Sequence, residues 1–106
     1  MNQRDSAGIT ALHECSYRGE ISSVVVLMRA RGVDVNVRAN FGSTPLHSAA
    51  FSGHAEVVRE LIEVGGADVN ARANDGATPL DDALNIGEEA AAAELRAHGG
   101  VRGGEL

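Results

Sequence analysis

The sequence predicts an all-α solenoid of stacked helix-turn-helix units with short β-hairpin-like connectors, and three observations support this. The pattern Gly-x-Thr-x-Leu begins at Gly8, Gly42 and Gly76, so it returns after the same 34-residue step. The tripeptide Asp-Val-Asn at 34–36 returns at 68–70 with that step. Aromatic residues make up only 3% of the chain and Trp is absent, so the core must consist of aliphatic side chains. Self-similarity at this period is typical of repeat proteins, and such a core suits small, close-packed helices.

The chain is expected to form a single domain, because 106 residues are near the lower limit for a self-sufficient core. The two helices of each repeat are too short to be stable alone in water, so the repeats must bury their apolar faces against one another. The predicted boundaries are about 5–38 for repeat 1, about 39–72 for repeat 2, about 73–100 for repeat 3, and 101–106 for a tail.

The middle repeat indicates where each helix begins and ends. Thr44 is predicted to cap the first helix with its hydroxyl, and Pro45 suits the first helical position because its missing N–H is not needed there. Gly53 is expected to end this helix, since glycine adopts the left-handed conformation readily. The second helix should end at Gly65, and the turn formers of 67–76 should make the connector. Its apolar stripe consists of Val57, Val58, Leu61 and Ile62.

Two motifs of this repeat resemble those of the ankyrin-repeat family. They are Thr-Pro-Leu-His-x-Ala at 44–49 and Gly-Ala-Asp-Val-Asn-Ala at 66–71. The resemblance covers nearly the whole chain, from Asn2 to about Gly100. It implies a protein that binds other proteins through a surface and carries no catalytic pocket.

The same resemblance implies roles for four polar residues. His13 and His47 are implied to be structural, with side chains that hydrogen-bond neighbouring backbone. In some organisms the Asn of the Asp-Val-Asn motif in ankyrin-like repeats is hydroxylated. Asn36 and Asn70 are therefore implied as alternative modification sites.

The two ends of the chain depart from the repeat pattern. Repeat 3 carries Asp81 where the other repeats have His, and Arg96 where repeat 2 has Ile62. This polar, Ala-rich unit is predicted to be a C-terminal cap, which solenoids need for solubility. No comparable unit precedes repeat 1. Either the chain is a piece of a longer array or repeat 1 caps itself poorly.

Charge and composition argue against several function classes. The net charge of −6 argues against a nucleic-acid partner, since binding phosphates requires a basic face. No stretch approaches the 18 apolar residues of a membrane span, and the first residues lack the apolar core of a signal peptide. A single Cys excludes an intramolecular disulfide and suits a reducing compartment, so we expect a cytoplasmic protein.

The residue types that carry chemistry do not form a recognisable site. His13 and His47 lie in successive repeats without further ligands at metal-binding spacing. Cys15 is expected to be buried as a small hydrophobe. Asp81 and Asp82 are adjacent on a helix, so they point in different directions and suit the first turn of the helix, where the dipole favours acids. We therefore expect no enzyme, metal or cofactor.

The three aromatic residues lie outside the repeated apolar framework. Tyr17 and Phe51 share one register near the end of the first helix, and Phe41 lies at a connector tip. The resemblance implies that these two regions form a concave protein-binding face, and aromatic residues and Arg are enriched in interface hot spots. Alternatively, Tyr17 and Phe51 stack on each other and only seal a joint between repeats. The predicted protein-binding residues are Tyr17, Arg18, Arg38, Asn40, Phe41, Ser43, Phe51, Ser52, Arg72, Asn74, Asp75, Asn85 and Ile86.

An unusual apolar run lies in the second helix of repeat 1. Val25 and Val26 stand in the register of Arg59 and Glu60, so they are expected to face water and to form a self-association edge. The predicted function is a non-enzymatic protein–protein interaction module for a partner of unknown identity. The alternative is a regulatory subunit, or a fragment of a longer array, that forms a homodimer or docks on an enzyme through repeat 1.

Overall fold

The computed structural model describes residues 9–106, which form three pairs of α-helices and no β-strand. The all-α fold is therefore confirmed. Gly8 and the predicted start of repeat 1 lie outside the described residues. The helices are α1 (Ala11–Arg18), α2 (Ile21–Met28), α3 (Pro45–Ser52), α4 (Ala55–Glu63), α5 (Pro79–Ile86) and α6 (Glu89–Ala97), and a short 3₁₀ turn follows at Gly103–Glu105.

The first helix of each pair begins and ends as the sequence predicts. The hydroxyl of Thr44 accepts a hydrogen bond from the backbone N–H of His47 at 3.4 Å, and Thr10 and Thr78 cap α1 and α5 in the same way. Gly53 ends α3 with a φ of 78°, a left-handed conformation that costs glycine little. Local chemistry therefore fixes the helix ends before any packing is considered.

The helices stack in two rows, and the core lies between the rows. Helices α1, α3 and α5 pack in sequence along one row, and α2, α4 and α6 along the other. Small Ala side chains in α3 and α5 allow the rows to approach closely. The hydrophobic side chains with no exposed surface are Val24, Ala49, Ala50, Val58, Leu61, Ala83, Ala91 and Leu95.

Hydrogen bonds from buried histidines connect successive repeats. Nδ1 of His47 accepts a bond from the backbone N–H of Thr44, so Nε2 carries the proton and donates to the carbonyl of Ala77 at 2.9 Å. His13 contacts the carbonyl of Ser43 at 2.8 Å in the same manner. Burial lowers the pKa of His47, so its imidazole remains neutral at physiological pH. Both rings therefore have the structural role that the resemblance implies.

The C-terminal tail packs on repeat 3 and on the end of repeat 2 through hydrogen bonds of its backbone. The backbone N–H of Gly103 donates to Asp81 at 2.8 Å, and the hydroxyl of Thr78 donates to the carbonyl of Val101 at 2.7 Å. Asn70 accepts a bond from the N–H of Val101 at 2.9 Å. Burial raises the pKa of Asp81, but the backbone N–H groups of Thr78 and Gly103 donate to its carboxylate, outweigh that effect and hold the pKa below its usual value.

The two asparagines of the Asp-Val-Asn motif also connect repeats. The Asn36 side-chain oxygen accepts a bond from the N–H of Asp68 at 2.8 Å, and the Asn70 amide donates to the carbonyl of Gly99 at 3.2 Å. These contacts explain why the motif returns with the repeat. Hydroxylation at either position stays a prediction.

Candidate protein-binding face

A continuous groove runs along α1, α3, α5 and the connector tips. It consists of three adjoining cavities of about 220, 210 and 300 Å³. The first two share Ile9, Tyr17 and Ser48, and the last two share Ser43 and Asp82. We call this surface the groove; its principal lining residues are Ile9, Glu14, Tyr17, Phe41, Ser43, Ser48, Phe51, Asn74, Asp75 and Asp82.

The three aromatic residues all line the groove and all remain exposed. The rings of Tyr17 and Phe51 stack with centroids 6.4 Å apart and an interplanar angle of 22°. Their exposed fractions are nevertheless 53% and 46%, and that of Phe41 is 78%. The predicted stacking is therefore present at the joint of repeats 1 and 2, and it leaves a large aromatic surface open to solvent.

The backbone of the connectors holds Phe41 at the tip. The N–H of Ala39 donates to the carbonyl of Ser43 at 2.8 Å and closes a hairpin-like turn. The carbonyl of Phe41 accepts a bond from the N–H of Asn74 at 2.9 Å, which ties this tip to that of the next repeat. The turn and the bond to Asn74 therefore fix the backbone of Phe41 at the connector tip.

Asp82 is the groove residue that sequence reasoning assigned only to a helix end. It lines two of the three cavities and is half-buried, and its carboxylate makes no hydrogen bond or ion pair within residues 9–106. Burial, with additional repulsion from Asp75 and Asp81, raises its pKa to about 6. The 34-residue step was the available signal, because Glu14, Ser48 and Asp82 share one register and all line the groove.

Of the remaining predicted binding residues, only Ser43, Asn74 and Asp75 line the groove. The Arg38 guanidinium donates to the carbonyls of Gly42 and Arg72, and Arg72 donates to the carbonyl of Gly103 at 3.2 Å. Arg38 therefore connects two successive connectors, and Arg72 connects a connector to the C-terminal tail. The predicted residues outside the groove lining are Arg18, Arg38, Asn40, Ser52, Arg72, Asn85 and Ile86; all but the half-buried Ser52 are exposed.

A second apolar surface lies at the opposite end of the stack from the tail. A shallow end groove of about 420 Å³ is lined by Cys15, Ser22, Ser23, Val26 and Leu27. We call it the end groove. Val26 is 67% exposed, as expected, whereas the neighbouring Val25 is half-buried. The expectation that both valines face water is therefore wrong for Val25.

Cys15 also differs from its expected burial. The alanines in its register, Ala49 and Ala83, have no exposed surface, because the preceding repeat covers them. Cys15 is only half-buried, since no described residue covers its side of the stack in that way. Burial still raises the pKa of its thiol, with Glu20 adding to the effect, so the thiolate is disfavoured at neutral pH.

The described part of the chain shows neither a metal-ligand cluster nor a membrane-spanning helix. No group of three or more His, Cys, Asp or Glu side chains within residues 9–106 is placed to hold a metal ion. None of the six helices is long and apolar enough to cross a bilayer.

Comparison with known proteins assigns the fold to a family. No curated protein matches the chain significantly. The family model described as ankyrin repeats (3 copies) matches residues 12–102, which include all three helix pairs except the first residue of α1. The chain therefore belongs to the ankyrin-repeat family.

Proposed function

We propose that the chain is a non-enzymatic protein–protein interaction module that binds its partner through the groove. Ankyrin repeats are in general protein–protein interaction modules, and they span nearly the whole chain. The observation that carries the proposal is the exposure of Tyr17, Phe41 and Phe51 along one groove, in a chain with no other aromatic residue. The net charge of −6 favours a protein over a nucleic acid as partner, and the single Cys favours the cytoplasm.

Replacing Phe41 or Phe51 with Ala is expected to weaken partner binding at least about 30-fold. This corresponds to roughly 2 kcal/mol, the usual threshold for an interface hot spot. The partner is first captured on the immobilised chain from an extract of the source organism. Its affinity for each variant is then measured by calorimetry.

Val64→Ala is the matched control, because Val64 is 62% exposed but lies outside the groove. This variant should bind with unchanged affinity. Thermal unfolding monitored by circular dichroism should give similar midpoints for all three variants. Undiminished binding by both Phe variants would contradict the proposed face.

The end groove supports a second candidate function, self-association through repeat 1. Its residue Leu27 is half-buried, whereas Leu61 and Leu95 in the same register have no exposed surface. Val26 occupies the register of Glu60 and Glu94, so an acidic residue is replaced by an apolar one. Burying apolar area is favourable by roughly 25 cal/mol per Å², and two copies that meet through this surface would form a two-fold dimer.

Val26→Glu is expected to abolish this dimer, because it places on the edge the residue that repeats 2 and 3 carry there. Sedimentation equilibrium at tens of micromolar should give a dimer for the unmodified chain and a monomer for the variant. Val64→Glu, a charge of the same sign on an exposed valine that does not line the end groove, should leave the dimer intact. A monomer for the unmodified chain excludes self-association at these concentrations.

A further inference from the structure

We propose that the groove binds an arginine-containing segment of the partner, with the guanidinium held between the ring of Phe41 and the carboxylates of Asp82 and Asp75. This inference rests on the proposed function, that the groove binds a protein, and it adds the chemistry of that protein.

The cavity at the connector tips has the composition that a guanidinium requires. It has a volume of about 300 Å³, and Phe41, Asp75 and Asp82 line it together with the polar residues Ser43 and Asn74. A guanidinium is planar, stacks on aromatic faces and donates hydrogen bonds in a fixed fork that fits carboxylates. The cavity therefore offers both a stacking surface and acceptors, and it has no Arg or Lys in its lining.

Asp82 has an unused capacity to accept hydrogen bonds. Its neighbour Asp81 accepts bonds from the backbone N–H groups of Thr78 and Gly103 and pairs with Arg102 at 3.4 Å. Asp82 has no such donor among residues 9–106, although it is half-buried. Its charged form is therefore disfavoured in the free protein, and a bound cation would supply the missing donors.

The charge of the whole groove favours a basic segment. Its ionisable acids are Glu14, Asp75 and Asp82, and no Arg or Lys lines any of its three cavities. Glu14 pairs with the exposed Arg18 at 3.4 Å, which reduces the charge at that end. The excess negative charge is thus concentrated beside Phe41, at the end of the groove where Asp75 and Asp82 lie.

The test is a titration of the isotope-labelled chain with the peptide acetyl-Leu-Arg-Leu-amide, followed by NMR. Amide signals of residues near Phe41, Asp75 and Asp82 are expected to shift. The same peptide with citrulline in place of Arg has the same shape but no charge, and it should bind at least about tenfold more weakly. The lysine peptide should also bind more weakly, since an ammonium cannot form the planar fork.

Asp82→Asn is expected to reduce the affinity for the arginine peptide at least about tenfold, because it removes the charge of the acceptor. Glu89→Gln is the matched control: it removes one charge from an exposed residue outside the groove and should change the affinity less than about twofold. The Asp82→Asn chain should remain folded, since Asp82 makes no hydrogen bond or ion pair within residues 9–106 and Asn is nearly isosteric with Asp. Its thermal midpoint checks this.

The affinity should also depend on pH. Because the pKa of Asp82 in the free chain is about 6, its carboxylate is protonated as the pH falls from 7 to 5, and binding should weaken over this range. The other ionisable groups that line its two cavities or act on its pKa are Tyr17, His47, Asp75 and Asp81. The pKa of Asp81 is lowered and His47 is held neutral, so neither accounts for a transition near pH 6. Asp82→Asn should remove the transition.

Equal binding of the arginine and citrulline peptides, equal binding of the arginine and lysine peptides, or unchanged affinity after Asp82→Asn would each overturn the inference. The inference also fails if no peptide binds while Phe41→Ala still weakens capture of the natural partner. In that outcome the groove remains the protein-binding face but takes a segment of different chemistry. Undiminished capture of the partner by both Phe41→Ala and Phe51→Ala would instead contradict the proposed function itself.

Discussion

Replacing Leu61 with Ala is expected to lower the free energy of unfolding by about 2–5 kcal/mol. Leu61 has no exposed surface and lies in the middle of the row formed by α2, α4 and α6. Removing its side chain loses the free energy gained by taking the buried atoms out of water. It also leaves a cavity in the row where α4 packs against α2 and α6. Leu46→Ala should have an effect of the same size, because Leu46 is equally central in the other row. A small domain has only about 5–15 kcal/mol to lose, so either variant approaches unfolding.

Urea denaturation followed by circular dichroism measures this loss, and Leu27→Ala is the matched control. Leu27 has the same register and residue type as Leu61, but it borders the end groove and is only half-buried. Its replacement should therefore cost clearly less than that of Leu61. Equal losses at the two positions would mean that the end of the stack is covered as well as its middle. A loss below about 1 kcal/mol for Leu61 would contradict its central place in the core.

Gly42→Ala is expected to destabilise the chain by about 2–5 kcal/mol, for two separate reasons. Gly42 has a φ of 83°, a left-handed conformation that costs a residue with a Cβ about 1–2 kcal/mol. The new methyl group would also lie 2.7 Å from the backbone nitrogen of Asn74 in the next connector. Such overpacking adds about 1–3 kcal/mol. This change also affects the groove, because Phe41 precedes Gly42 and bonds the same Asn74 nitrogen.

The chain provides its own control in Gly76, the equivalent residue of the next repeat. Gly76 has a similar φ of 86°, but nothing lies within 4 Å of the position where its Cβ would be. Gly76→Ala should therefore lower the free energy of unfolding only by the cost of a left-handed backbone for Ala, about 1–2 kcal/mol. Urea denaturation gives the loss of unfolding free energy for each variant. The difference between the two losses measures the cost of the steric contact between the connector tips at Gly42 and Asn74. If the two losses are equal, that contact is too loose to fix the position of Phe41.

Much of the fold is readable from the sequence because its determinants are local and repeated. Thr44, Pro45 and Gly53 fix the ends of a helix through their own backbone preferences and hydroxyl chemistry, and each has the predicted role. The apolar stripe of α4 likewise becomes a buried face, except that Ile62 remains partly exposed at its edge. A period of 34 residues then places equivalent side chains above one another, which is why the two-row stack follows.

The candidate site was predicted only in part, because exposure depends on which neighbour covers a residue. The sequence placed Phe41 at a connector tip, and it lies there with 78% of its surface exposed. The 34-residue register separates Asp81, which stands where the other repeats have His, from Asp82, which stands where they have Glu14 and Ser48, but it does not show which of the two carboxylates finds hydrogen-bond donors. Asp81 accepts a hydrogen bond from the backbone of the C-terminal tail, whereas Asp82 lies in the groove without a donor among residues 9–106. That distinction depends on where residues 101–103 pack, and no local pattern encodes it.

The sequence by itself determines the fold class, the ends of the helices and the apolar framework of this protein, because each depends on residues within one 34-residue unit. Only the tertiary structure decides what the ends of the stack and the surface of the groove expose. Cys15 and Ala49 share a register, yet one is half-buried and the other fully buried, because only the second has a preceding repeat packed over it among the described residues. The pKa of Asp82 is raised for the same kind of reason, since burial in the groove and the neighbouring carboxylates arise only when the repeats stack.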